Sequence, residues 1–105
     1  MVADKSDIPE GDMKMFNVGK VDVLVANVGG KYYAIDNKCS HLRGKLSRGK
    51  LSGKVVTCPR HASQFDVTTG KALKGPVILG KQRDTGDVSS YDVKVDGQNL
   101  LVDTG

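Results

Sequence analysis

Val21-Asp22-Val23-Leu24-Val25-Ala26-Asn27-Val28-Gly29-Gly30-Lys31-Tyr32-Tyr33-Ala34-Ile35 sets two apolar runs on either side of a glycine pair. Both runs are rich in β-branched, aliphatic and aromatic residues, and Val21, Val23 and Val25 alternate with Asp22 and Leu24, the pattern of a pleated strand. Gly29-Gly30 predicts a two-residue hairpin between them, because glycine accepts the positive φ of the tight primed turns. Working outward, Met13–Val18 and 54–58 read as further strands. Tyr91, Val93 and Val95 alternate with Asp92 and Lys94, and Asp96-Gly97 turns the chain into a last strand over 99–102. No long stretch repeats apolar residues at helical spacing. The expected fold is all-β, a small antiparallel sandwich or barrel. Residues 39–53 and 59–76, rich in Gly, Ser and basic side chains, read as two loops carried by that scaffold.

The chain has 105 residues, 38% hydrophobic and 27% charged, which suits one domain with a modest core and excludes wholesale disorder. Its apolar runs fall far short of the roughly 20 residues a membrane-spanning helix needs. The first 20 residues carry Asp4, Asp7, Glu10 and Asp12, unlike a signal or transit peptide, so the cytoplasm is the expected compartment. The net charge of +4 hides a strong polarity. Eleven basic residues and one acid, Asp66, lie between Asn37 and Arg83, a local net of +10, while five basic and eleven acidic residues elsewhere leave −6. Nucleic acid is a poor partner for such a chain, since aromatics make up only 5% of it and no binding motif is present.

All the cysteine and histidine in the protein falls inside the basic segment, as Cys39-x-His41 and Cys58-x-x-His61. Each expected loop therefore supplies one soft thiolate and one imidazole. Tetrahedral zinc can use two of each, but zinc fingers pair like with like. A 2Fe-2S cluster with one iron on two Cys and the other on two His needs one of each from each loop. The mixed pairing favours the cluster and leaves zinc as the rival.

Cys39-Ser40-His41-Leu42-Arg43-Gly44 and Cys58-Pro59-Arg60-His61-Ala62-Ser63-Gln64-Phe65-Asp66 resemble the two boxes of Rieske-type iron-sulfur proteins, specifically the soluble Rieske-type ferredoxins. The likeness extends to Asp7-Ile8-Pro9-Glu10-Gly11, to Gly30 through Asn37, to Leu46-Ser47-Arg48-Gly49, and to Thr69-Gly70 and Leu73-Lys74-Gly75-Pro76. It implies one 2Fe-2S cluster, with Cys39 and Cys58 on the inner iron and His41 and His61 on the outer one. Leu42, Ser63 and Pro76 would surround it, Ser63 as a hydrogen-bond donor toward sulfur. It implies a single domain over 1–105, with a small cluster-binding subdomain at about 37–76 inserted in the β scaffold.

Two ferric ions, two sulfides, two thiolates and two neutral imidazoles sum to zero charge, and one electron makes the site −1. The Rieske subunits of cytochrome bc complexes add a disulfide and a tyrosine hydroxyl near the cluster. Gly44 and Arg60 occupy the disulfide positions here and Phe65 the tyrosine position. The expected potential therefore lies in the lower part of the class range of about −150 to +300 mV.

The resemblance implies a monomeric one-electron carrier rather than an enzyme, taking electrons from a reductase and passing them to an oxygenase or another oxidoreductase. The basic segment would steer a partner with an acidic docking face. A small Rieske-like subunit of a larger enzyme, such as a nitrite reductase, and a zinc-binding interaction module are the competing readings.

Overall fold

The hairpin over Val21–Val28 (β3) and Lys31–Asp36 (β4) is the centre of the structure. The computed structural model describes residues 3–38, 45–59, 63–74, 77–78, 81–82 and 86–103. Val28 and Lys31 are partners across the turn, with Gly29 and Gly30 at φ of 62° and 90°, the pair of positive values a type I′ turn requires. Asn27, which interrupts the apolar run, serves this turn: its side-chain oxygen accepts from Gly30 N–H at 3.0 Å. Its amide donates to the Ile8 carbonyl at 2.9 Å, so the buried polar group is satisfied.

Met13–Val18 (β2) pairs with β3 on the far side. Ser90–Asp96 (β11) pairs with β4 through Ser90 and Tyr91, and with Asn99–Asp103 (β12) across a turn at Gly97-Gln98, one residue later than the expected Asp96-Gly97, since Asp96 is itself the strand partner of Asn99. Ala3–Asp4 (β1) lies along β12, giving an antiparallel sheet of order β1-β12-β11-β4-β3-β2. A second antiparallel sheet is built from Lys50–Ser52 (β5), Val55–Thr57 (β6), Gln64–Asp66 (β7) and Ala72–Lys74 (β8), in chain order. Val77–Ile78 (β9) and Lys81–Gln82 (β10) form a short hairpin. The described residues contain two helical pieces, 3-10 turns at Lys5–Asp7 and Leu46–Arg48. All-β architecture is as the sequence indicates.

Alternate residues of β3 enter different cores. Leu24 and Ala26, with Ile35, meet Leu46, Val56, Cys58, Phe65, Val67 and Val88 between the two sheets. Val23 and Val25, with Ala34, meet Ala3, Ile8 and Leu100 on the opposite face. A strand buried on both faces has no polar side to alternate, which is why 23–26 reads as an unbroken apolar run.

Two expectations need amending. The segments read as loops contain β5, β7, β8 and the Leu46–Arg48 turn, and the strand expected over 54–58 is confined to Val55–Thr57. Strands of three residues are too short for a period-two signal to emerge. Their pairing shows it instead: Leu51, Val56, Phe65 and Ala72 are successive cross-strand partners, an apolar row facing the shared core.

Candidate metal centre

Cys58 follows β6 directly, buried at 1% exposure in the core between the sheets. Its N–H donates to the Ser63 carbonyl at 2.7 Å, which closes the base of the second expected ligand loop. One row behind, Thr57 and Gln64 are strand partners, and the Gln64 side-chain amide reaches the Thr57 hydroxyl at 3.3 Å. The loop thus grows out of the β6–β7 hairpin, whose apolar Val56 and Phe65 pin it to the core.

The base of the first expected ligand loop is closed by different means. Lys38 and Lys45 form an isolated antiparallel bridge on either side of 39–44. Asn37, 1% exposed, takes three bonds just before it. Its N–H donates to the Asp22 carbonyl at 3.0 Å, its carbonyl accepts from Leu46 N–H at 2.7 Å, and its side-chain oxygen accepts from Ser47 N–H at 2.8 Å. Next to it Asp36 accepts from Ser89 N–H at 3.1 Å and from the Tyr91 hydroxyl at 2.5 Å. The Asp36 bond, reinforced by burial, raises the Tyr91 phenol above its ordinary pKa.

Gly49 joins the two loops. A Cβ on it would lie 1.8 Å from the Thr57 carbonyl oxygen and 3.2 Å from the Pro59 ring. Only glycine lets the chain leaving the first loop approach this close to the strand entering the second.

Asp66 ends the second box and organises the turn beyond it. Its carboxylate accepts from Thr68 N–H at 2.8 Å and the Thr68 hydroxyl at 2.6 Å, and pairs with the Lys54 ammonium at 3.5 Å. Burial works against its ionisation, but the Thr68 hydrogen bonds and the Lys54 charge outweigh that and lower its pKa.

Of the expected site residues, the described part of the structure contains Cys58 and Ser63. Cys39, His41, Leu42, His61 and Pro76 lie outside the described residues, as do Gly44 and Arg60. Phe65 is fully buried in the core. Asn37 and Gly49 had no assigned role in the sequence reading. An asparagine directly before a ligand loop and a glycine outside any tight turn are the signals that could have found them.

A Rieske [2Fe-2S] domain model matches residues 1–91. The chain belongs to the Rieske [2Fe-2S] family. It is 38% identical, over 92% of its length and 86% of the relative's, to the ferredoxin component of a naphthalene 1,2-dioxygenase system from Pseudomonas aeruginosa. Among solved structures it is similar to the ferredoxin of carbazole 1,9a-dioxygenase from Nocardioides aromaticivorans, with a TM-score of 0.80 and 35% identity over 96% of this chain and 92% of that one. A chain of the complex of reduced oxygenase and oxidized ferredoxin in carbazole 1,9a-dioxygenase matches with a TM-score of 0.84 and 31% identity, covering 96% and 88%.

The donor set around Cys58 fits the family's cluster. Ser63 is fully buried, yet its hydroxyl has no hydrogen-bond partner among the described residues. A buried hydroxyl left alone is costly, and a donor in the residue bonded to the Cys58 backbone, Cys58 being one of the expected ligands, suits a sulfur-rich group. The Rieske cluster, when bound, takes up and gives back one electron. The Cys58–Ser63 bond and the surrounding core hold the base of the second expected ligand loop in place and would keep a cluster bound at Cys58 dry on that side.

Proposed function

We propose that this Rieske protein is a one-electron carrier that takes electrons from a reductase and delivers them to an oxygenase of the aromatic-ring dioxygenase kind. Cys39 and Cys58 hold the inner iron, and His41 and His61 hold the outer iron near the surface. Leu42 and Pro76 shield the cluster, and Ser63 donates a hydrogen bond toward sulfur. The chain is a monomeric single domain over 1–105, with the cluster-binding subdomain at about 37–76. The observation that carries this reading is the buried Ser63 hydroxyl, without a hydrogen-bond partner among the described residues, in a residue whose carbonyl holds the Cys58 N–H and in a chain whose relative from Pseudomonas aeruginosa is named a ferredoxin component.

The electrostatics support a carrier that meets proteins. With +10 over 37–83 and −6 elsewhere, the cluster-bearing end attracts an acidic partner and the rest of the surface does not. Among the described residues no helix is long and apolar enough to cross a membrane, and the cytoplasm is the proposed compartment. The relative and neighbours reported above favour a separate carrier over a subunit of a nitrite reductase, and the family match stands against mononuclear zinc.

Purified protein should contain two irons and two acid-labile sulfides per chain and give a Rieske EPR signal after one-electron reduction. When reduced it should reduce the oxygenase component of a naphthalene 1,2-dioxygenase. Colourless protein holding one zinc would overturn the cluster, and a stable larger assembly on gel filtration would overturn the free carrier.

A further inference from the structure

The outer face of the four-stranded sheet carries a second cross-strand row. Lys50 is the partner of Thr57, Thr57 of Gln64, and Gln64 of Lys74. Directly opposed residues project to one face, and the Gln64–Thr57 hydrogen bond at 3.3 Å confirms it for the middle pair. The row is polar and ends in an exposed lysine at each margin of the sheet. It lies one residue before Cys58 and one after Ser63, so it borders the second ligand loop.

The register between β7 and β8 shifts at Gln64/Phe65. Beyond Ala72, which packs inward, Leu73 stands 49% exposed beside Lys74. Lysines on an edge strand can simply guard it against unwanted pairing. An exposed leucine between lysines does the opposite, since it offers apolar area where the guard is needed. Of the acids at this sheet, Asp66 is 8% exposed and already paired with Lys54 at 3.5 Å, and the exposed Asp87 accepts from the Ala72 N–H at 2.7 Å beside β8, so the two lysines of the row outnumber the one uncommitted carboxylate.

We propose that this face is the docking surface for an acidic redox partner, with Lys50 and Lys74 as its charged margins and Leu73 as its apolar anchor. The inference rests on the carrier function proposed above and adds the surface that carries it out. Charges at the margins steer the encounter and set its salt dependence, whereas an anchor buried on contact sets the lifetime of the complex. The partner it fits presents carboxylates around an apolar recess, within reach of the second ligand loop.

The roles separate in stopped-flow reduction of the naphthalene 1,2-dioxygenase oxygenase component, varying its concentration and the salt. Leu73→Ala should weaken half-saturation about 5- to 30-fold with the salt slope unchanged, and Leu73→Met should restore most of it. Lys50→Glu with Lys74→Glu should slow the second-order rate at low salt about tenfold or more and flatten its salt dependence. Lys94→Glu, exposed on the other sheet, should act far less. Each variant's visible spectrum must match the wild type, so that the cluster is known to be intact. If the wild-type rate responds to salt but Leu73→Ala half-saturates as the wild type does, or Lys94→Glu slows the reaction as much as the paired change, the docking face is refuted while the carrier function stands. A wild-type protein that does not reduce the oxygenase refutes both.

Discussion

The Ser47 N–H donates to the Asn37 side-chain oxygen at 2.8 Å, tying together the two ends of the first ligand loop. Asn37→Ala removes that acceptor and leaves the part-buried Ser47 donor unsatisfied, a cost of about 1 kcal/mol. The backbone bond from Leu46 to Asn37 remains, so the fold should survive while the loop loosens. Cluster bleaching in excess chelator should be several-fold faster than in the wild type, and Asn37→Asp, which keeps an acceptor, should recover much of the difference. Equal bleaching rates for all three proteins would remove Asn37 from the clamp.

Gly49→Ala places a methyl 1.8 Å from the Thr57 carbonyl oxygen, so β5 and β6 must part. Overpacking of this kind costs about 1–3 kcal/mol, here at the junction of both ligand loops. Iron per chain should fall along with the melting temperature. Gly86→Ala is the matched control: a Cβ there meets nothing within 4 Å, and its stability should stay within about 1 kcal/mol of the wild type. Full iron content in Gly49→Ala would show that the junction can relax.

Ser63→Ala should act oppositely on the two forms of the protein. In the apo form it deletes a buried hydroxyl that has no partner among the described residues, so stability should hold or rise. In the holo form it deletes a donor that favours the more negative, reduced cluster, so the potential should fall. Voltammetry beside apo-protein denaturation measures both, and an unchanged potential would separate Ser63 from the cluster.

Asp66 has a pKa lowered in the fold, where burial is outweighed by Thr68 and Lys54. The unfolded chain then binds a proton more readily than the folded one. Its stabilisation is fully present above the ordinary carboxylate pKa of about 4 and is lost as pH falls through the lower folded value. Urea midpoints should drop on acidification below that range, and Asp66→Asn should reduce the drop. An identical acid profile in the variant would assign the loss to other carboxylates.

The sequence by itself determined the local matters. Val21–Val28, the Gly29-Gly30 turn and, to within one residue, the turn at Gly97-Gln98 were legible because a hairpin is specified by neighbours in the chain. The 2Fe-2S cluster was legible because the paired Cys and His suit it by residue type and spacing, and the family match agrees with that cluster. Only the tertiary structure decided what depends on register. Strands of three residues carry too little pattern to announce themselves, yet their pairing puts Leu51, Val56, Phe65 and Ala72 in the core and brings Lys50 and Lys74 to opposite margins of one row. The same holds for Asn37 and Gly49, whose roles exist through Ser47 and Thr57 and so appear only once the chain has folded back on itself. Residue chemistry is written along the chain, but closeness between distant segments is fixed by strand register and packing.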